Sequence, residues 1–324
     1  MRGSFAALLL RALACAVLLS FALSRPSAAQ GWPDRPVRLV VPLSPGGASD
    51  LTARLLATGL ARRLGQPVTV ENRPGGGGNI AIEHVARAAP DGYTLLMVPT
   101  MLAINGLLGP ANFDPLRDFA PITLVGETGM TLVASKRLPV ASPGDLARRL
   151  EDPGARLTCA SAGGLQEIAC GLLGTYARAE VTTVPYRGGA QVLNDLAAGD
   201  VDLTFTLGNG AAEYVAAGRV RALASTDSPQ RAASAGLAPL SGSLEGFVLT
   251  GWQAVVAPAG TAPAIVERLH AEIVDVLGEP EARRRLVAMA IEPVGSTPAQ
   301  FARRLEADVQ RYARVVRDAG LRPR

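Results

Sequence analysis

An α/β fold of parallel sheets covered by helices on both faces is what this 324-residue sequence predicts. Three observations carry that reading. A unit of β-branched run, glycine-rich turn and amphipathic helix recurs along the chain. Its copies fall into two clusters, separated by long extended passages. The composition, 48% hydrophobic with 4% aromatic residues and 35 glycines, fits a chain with a sizeable core and many tight strand-to-helix turns.

The first unit runs from residues 37–42 through Pro45-Gly46-Gly47 into a helix over 51–64. The second leads from 67–71 through Gly75-Gly76-Gly77-Gly78 to 80–88. An extended stretch within 112–136, ITLVGETGMTLVAS, then carries the chain out of the first cluster. Three more units follow: 156–160 through Gly163-Gly164, 181–186 through Arg187-Gly188-Gly189, and 201–206 through Gly208-Asn209-Gly210. A second extended passage over 247–258, FVLTGWQAVVAP, leads back. Two crossings of this kind predict that the chain leaves the first lobe and returns to it. The tail closes with a helix over 262–277, with Ile265, Leu269, Ile273 and Leu277 on one face. A last helix follows, opened by Thr297-Pro298 as cap and first turn. The domain boundaries this implies are lobe 1 over 32–127 plus 252–324 and lobe 2 over 128–251.

Residues 1–29 read as an export signal: Arg2 and Arg11, a short apolar core from Ala12 to Leu23, and small residues Ser27-Ala28-Ala29 before Gln30. Loss of Arg2, Arg11 and Arg25 with that segment takes the formal charge from +4 to +1, so a nucleic-acid partner loses its support. The expectation is a soluble exported protein without a lipid anchor. Two cysteines then remain, Cys159 at a strand end and Cys170 in the next helix. An oxidising compartment permits a disulfide between them, and the alternative of two buried thiols stays open at this point.

Enzyme constellations are missing from the sequence. His84 and His270 are the two histidines, both expected to face solvent or cap helices, and neither has a ligand-spaced partner. Lys136, the single lysine, sits in no glycine loop, and no turn completes a dinucleotide fingerprint. No catalytic residue, metal or cofactor is therefore expected. What the glycine turns do supply is backbone N–H groups at helix starts, where unpaired donors and the helix dipole favour a carboxylate or phosphate.

The motifs PLSPGGASD from Pro42, QPVTVENRPG from Gln66, APDGYTLL from Ala89, VPYRGG from Val184 and APAGT from Ala257 stand in collinear order. Together they resemble the substrate-binding proteins of tripartite tricarboxylate transporters, the Bug receptor family. The resemblance runs from about Trp32 to the C-terminus. It implies a type II periplasmic binding protein fold of two α/β lobes joined by two crossing strands, closing on a small carboxylate for membrane transporter subunits. The ligand positions it implies are Leu43, Ser44, Pro45, Gly46 and Gly47 in the first turn, with Asp50 orienting the helix start. In a loop after residue 98, Thr100 and Met101 form another wall. Across the cleft it implies Ser161, Ala162, Gly163 and Gly164, then Tyr186, Arg187, Gly188 and Gly189, with Thr206 at the next strand end. Leu43 stands where the family usually has an aromatic, the loop after Ala160 is about two residues shorter than usual, and Thr206 replaces a common Asp. These departures imply a mono- or dicarboxylate ligand with an apolar or aromatic body rather than an amino acid. A receptor that signals through a membrane sensor is the rival reading. An exported enzyme on the same scaffold is a third.

Overall fold

The computed structural model describes residues 31–234 and 236–321; the signal segment lies outside them. In lobe 1 the chain forms β1 (Val37–Val41), α1 (Ala48–Leu64), β2 (Val68–Asn72), α2 (Asn79–Ala86), β3 (Thr94–Pro99) and α3 (Met101–Leu108). The 17-residue β4 (Phe119–Ser135) crosses to lobe 2. There it is followed by α4 (Pro143–Glu151), β5 (Leu157–Ser161), α5 (Leu165–Ala177), β6 (Val181–Pro185), α6 (Gly189–Ala198) and β7 (Leu203–Leu207). Short α7 (Ala212–Ala216), β8 (Val220–Ser225) and α8 (Pro229–Ser234) complete the lobe before β9 (Thr250–Pro258) returns. Helices α9 (Pro263–Gly278) and α10 (Pro280–Ala288), the two-residue β10 (Glu292–Pro293) and α11 (Pro298–Asp318) close the chain.

Both lobes use one strand order. Lobe 1 reads β2-β1-β3-β9-β4, with β1 parallel to β2 and β3 and with β9 antiparallel to both neighbours. Lobe 2 reads β6-β5-β7-β4-β8, with β4 as the antiparallel strand. Strand β4 thus serves both sheets, pairing β9 as far as Gly129 and β7 from Met130.

Alternation along β1 explains the layering. Leu39 and Val41 pack with Leu56, Leu60, Ile265 and Ile273 on one face, while Val40 joins Ile82, Leu96 and Leu102 on the other. That second cluster continues without a break into lobe 2 through Trp252, Phe301, Leu305 and Tyr312 to Ile168 and Leu172. Helix α11 is the connecting piece. Its start is fixed by a capping box between Thr297 and Gln300, as the Thr297-Pro298 reading anticipates. Near its end Val315 lies against Gly171 of α5, and Arg311 Nη2 donates to the Val248 carbonyl at 2.7 Å. The helix assigned by sequence to lobe 1 therefore packs on both lobes.

Two local expectations need correction. The loop read after residue 98 gives way to helix at once, since Met101–Leu108 form α3; the run MLAINGLL is apolar nearly all round, so it shows no helical stripe in sequence. His84 and His270 keep only part of their surface in solvent. Both are half-buried, and burial pushes each imidazole below its usual value.

Candidate functional site: a cleft between the lobes

Strand β1 ends at Val41, and the turn that follows is held from beneath. Asn72 Nδ2 donates to the Leu43 carbonyl at 3.0 Å, and Arg54 Nη2 donates to Asn72 Oδ1 at 3.3 Å. The buried Asp50 Oδ2 accepts from the Gly46 amide and from Arg54 Nε, each at 2.9 Å. The Arg54 hydrogen bond foremost, with the Gly46 amide, holds the Asp50 carboxyl below its ordinary value against the opposing effect of burial. Asp50 thereby braces the turn through Oδ2, and it occupies the Gly46 donor. Gly47, extended at φ −80° and ψ 169°, precedes α1 with no side-chain cap. The first donors of a 17-residue helix are thus left free, with the positive end of its dipole behind them.

Lobe 2 repeats the device with different bracing. Ser161 Oγ accepts from the Gly163 amide at 2.9 Å, and Gln166 Oε1 accepts from Ala162 at 3.0 Å. Gln166 Nε2 donates to the Phe205 carbonyl at 2.7 Å. A disulfide joins Cys159, in the middle of β5, to Cys170 in α5, so the turn lies inside a covalent loop. Helix α5 then starts after Gly164, again without a side-chain cap.

Both helix starts open into one cavity of about 500 Å³ between the lobes. Its lobe 1 wall is Leu43, Ala48, Ser49 and Pro99 to Met101; its lobe 2 wall is Gly164, Leu165 and Leu207 to Gly210. The paired crossings form its floor, Gly126 to Thr128 beside Gly251 to Gln253, and Met289 with Ile291 closes one side. A Cβ on Gly251 would stand 2.7 Å from Leu207 Cδ2 and 3.2 Å from Leu165 Cδ2, so a side chain there would push two leucine tips of the lobe 2 wall.

Of the residues anticipated from sequence, Leu43, Thr100, Met101 and Gly164 line this cavity. Ser44, Pro45, Gly46 and Gly47 form an exposed lip between the lining residues Leu43 and Ala48. Ser161, Ala162 and Gly163 lead into Gly164, with two of their amides already engaged. Thr206 is buried directly behind Leu207, its Oγ1 without a hydrogen-bond partner. Tyr186, Arg187, Gly188 and Gly189 are not brought to the cavity. Burial and a hydrogen bond with Asp195 push the Tyr186 phenol up to about 12, and the ring, partly buried, packs against the lobe 2 cluster of Val192 and Leu196. Gln253, Met289, Ile291 and residues 208–210 were missed as site residues. The last three carried a signal, the Gly-Asn-Gly turn; Gln253, Met289 and Ile291 carried none, since each arrives from a distant stretch of chain.

A larger cavity of about 990 Å³ lies on the outside of lobe 1, lined by Arg35, Arg38, Arg73, Arg87, His84 and Asp91 among others. It sits by the beginnings of β1 and β3, whereas ligands of open α/β sheets bind beyond the carboxyl ends. Its arginines are already paired: Arg35 to Asp91 at 2.9 Å, Arg73 to Glu71 at 2.5 Å, and Arg87 to Glu83 at 3.4 Å. The interlobe cavity is the better site on both counts.

Behind the cavity floor lies a network of charges facing α11. Glu127 accepts from Arg304 at 2.6 Å and from Arg231 at 2.9 Å. Arg304 Nε donates to Asp308 Oδ2 at 2.8 Å, and the same oxygen accepts from Trp252 Nε1 at 2.9 Å. Arg231 also pairs with Asp227 at 2.9 Å, whose carboxyl is raised by burial. Among the described residues no cluster of His, Cys, Asp and Glu is arranged to hold a metal.

Two lobes of like topology, hinged by paired strands, with helix starts aimed into the space between them, define a two-lobed solute-binding receptor of the periplasmic type. The chain belongs to the tripartite tricarboxylate transporter receptor family, whose model, TctC, matches residues 52–321. Among solved structures it is similar to Rpa4515 of R. palustris with adipate, at 32% identity over 90% of this chain and 100% of that one, with a TM-score of 0.75. The periplasmic binding protein BugD is 29% identical over 90% of this chain and 100% of its own, with a TM-score of 0.72. MatC of Rhodopseudomonas palustris, with bound malate, is 30% identical over 88% and 100%, with a TM-score of 0.71. The family, and the two-lobed fold that the resemblance implied, are thereby established, and the family is one of receptors rather than enzymes.

Proposed function

We propose that this protein is an exported receptor that captures a small carboxylate between its lobes and delivers it to the membrane subunits of a tripartite transporter. One observation carries the reading: an uncapped helix start from each lobe opens into the same interlobe cavity, and no cationic side chain lines it. A carboxylate there is held by backbone donors and helix dipoles, charge-assisted hydrogen bonds worth about 1.5 to 3 kcal/mol each. Adipate and malate in the similar proteins are the ligand chemistry that supports it. The anchoring donors are those of Gly47, Ala48 and Ser49 facing Gly164 and Leu165, with Leu43, Met101 and Leu207 against the ligand body. The lobes divide as 32–127 plus 252–324 and 128–251, with α11 spanning both. The protein acts as a periplasmic monomer after removal of residues 1–29, and among the described residues no helix is long and apolar enough to cross a membrane.

A thermal-shift screen of residues 30–324 against small carboxylates tests the proposal, because a ligand that binds only the native state raises the Tm by mass action. At least one carboxylate is expected to give a concentration-dependent rise. Turnover of the bound compound, or silence across the carboxylates together with binding of an amine or a sugar, would overturn it.

A further inference from the structure

Of the residues lining the interlobe cavity, Glu127 alone carries a charged side chain. That carboxylate is turned away from the ligand space. In the β4–β9 register Glu127 stands opposite Trp252, and cross-strand partners share a face. The Trp252 indole lies on Asp308 and Phe301 of α11, so Glu127 faces α11 too, where Arg304 and Thr250 meet it. The cations nearest the floor are consequently spent. Arg231 and Arg304 serve three carboxylates, those of Glu127, Asp227 and Asp308, which leaves this network one negative charge in excess.

The rest of the lining is uncharged. Leu43, Met101, Leu165, Leu207, Met289 and Ile291 offer apolar surface. The Thr100 hydroxyl is engaged with the Trp252 backbone and that of Thr128 with the Ala290 carbonyl, leaving Gln253 and Asn209 as the long neutral polar groups. The anion-favouring groups of the cavity are the two helix starts, whose dipoles amount to about half a positive charge each and so together match one negative charge, and no cationic side chain lines the cavity to compensate a second. A second carboxylate would be desolvated against thioether and aliphatic groups, with a net negative network behind the floor, and a buried charge without a partner is strongly disfavoured.

We infer that this cleft selects monoanions: a monocarboxylate with an uncharged, largely apolar body, which sets it apart from the similar proteins holding the dicarboxylates adipate and malate. The inference rests on the carboxylate-receptor reading and narrows it.

The test is calorimetric titration of the mature protein at neutral pH with matched sets that differ in charge and little else. One set is hexanoate, monomethyl adipate and adipate; a second is 4-methylbenzoate, monomethyl terephthalate and terephthalate. In whichever set fits the cavity, the monoanions are expected to bind at least tenfold more tightly than the dianion. Equal or tighter binding of the dianion overturns monoanion selection while leaving the carboxylate receptor intact. Binding by no member of either set, alongside binding of an uncharged or cationic solute, overturns the receptor reading and this inference with it.

Discussion

The two lobes share a strand order and differ in how each holds its ligand-facing turn. Lobe 1 braces the turn with ions and amides: Asp50 beneath Gly46, Arg54 beneath Asp50, and Asn72 beneath Leu43. Lobe 2 braces its turn with the Cys159–Cys170 bond and the Gln166 amide. Either scaffold frees the first donors of a helix, so the shared product is an uncapped helix start rather than a shared sequence. The difference makes the lobes separately breakable.

Removing the covalent brace has the largest expected effect. The Cys159→Ser/Cys170→Ser variant reopens a short loop with a sequence separation of 11, and the chain-entropy estimate for such a loop is about 3 kcal/mol. Urea unfolding of the variant is expected to show that loss, and reductant is expected to shift the wild-type midpoint toward it. An unchanged midpoint would mean that the bond contributes nothing to lobe 2.

The lobe 1 brace is expected to be weaker and sensitive to acid. Asp50→Asn loses the charge that Gly46 and Arg54 share, at about 1 to 2 kcal/mol, since Arg54 is half-exposed and its ion pair is screened. Because the folded carboxyl titrates below its ordinary 3.8, its contribution is complete above that pH and is lost as pH falls through the depressed value. Stability measured from pH 6 to pH 2.5 is expected to decline through that range in the wild type, with this component absent from Asp50→Asn. Parallel curves would remove Asp50 from the account of the turn.

Gln166→Ala is the smaller counterpart in lobe 2. It leaves the Ala162 amide and Phe205 carbonyl without their partner, for about 1 kcal/mol, and loosens the turn that leads to Gly164. Ligand affinity is expected to fall more than the Tm does.

Smallest is the expected change at the hinge. Trp252 is buried where β9 crosses, hydrogen-bonded to Asp308 of α11, so a shift of the lobes about that helix alters its surroundings. In Trp32→Phe protein a saturating ligand is expected to change tryptophan emission by tens of per cent at most. A flat titration with a ligand that calorimetry shows to bind would indicate that α11 and the floor move as one body.

Legibility from sequence followed locality. The repeated units were readable because strand, glycine turn and helix stripe are neighbours in the chain, and Thr297-Pro298 was readable as a helix start for the same reason. Leu43, Thr100, Met101 and Gly164 were anticipated through the resemblance to the Bug receptor family, not through periodicity. Tyr186 was assigned to the cleft by motif, yet its hydroxyl had a partner, Asp195, on the following helix. Gln253, Met289 and Ile291 became visible only when β9 and the segment after α10 were folded against the crossings, a tertiary fact with no local pattern. The bridging of both lobes by α11 was hidden likewise, because its apolar stripe names no partner.

The central claim is that backbone donors at helix starts hold the ligand. Ala48→Pro tests it most directly. Position 48 is the first residue of α1, where proline is well tolerated, and the extended Gly47 is compatible with a following proline. The substitution deletes one N–H and little else. The expected result is a Tm within a few degrees of the wild type and a calorimetric affinity for the cognate carboxylate lowered by roughly 10- to 100-fold, the equivalent of one charge-assisted hydrogen bond. Wild-type affinity in the folded variant would contradict the account.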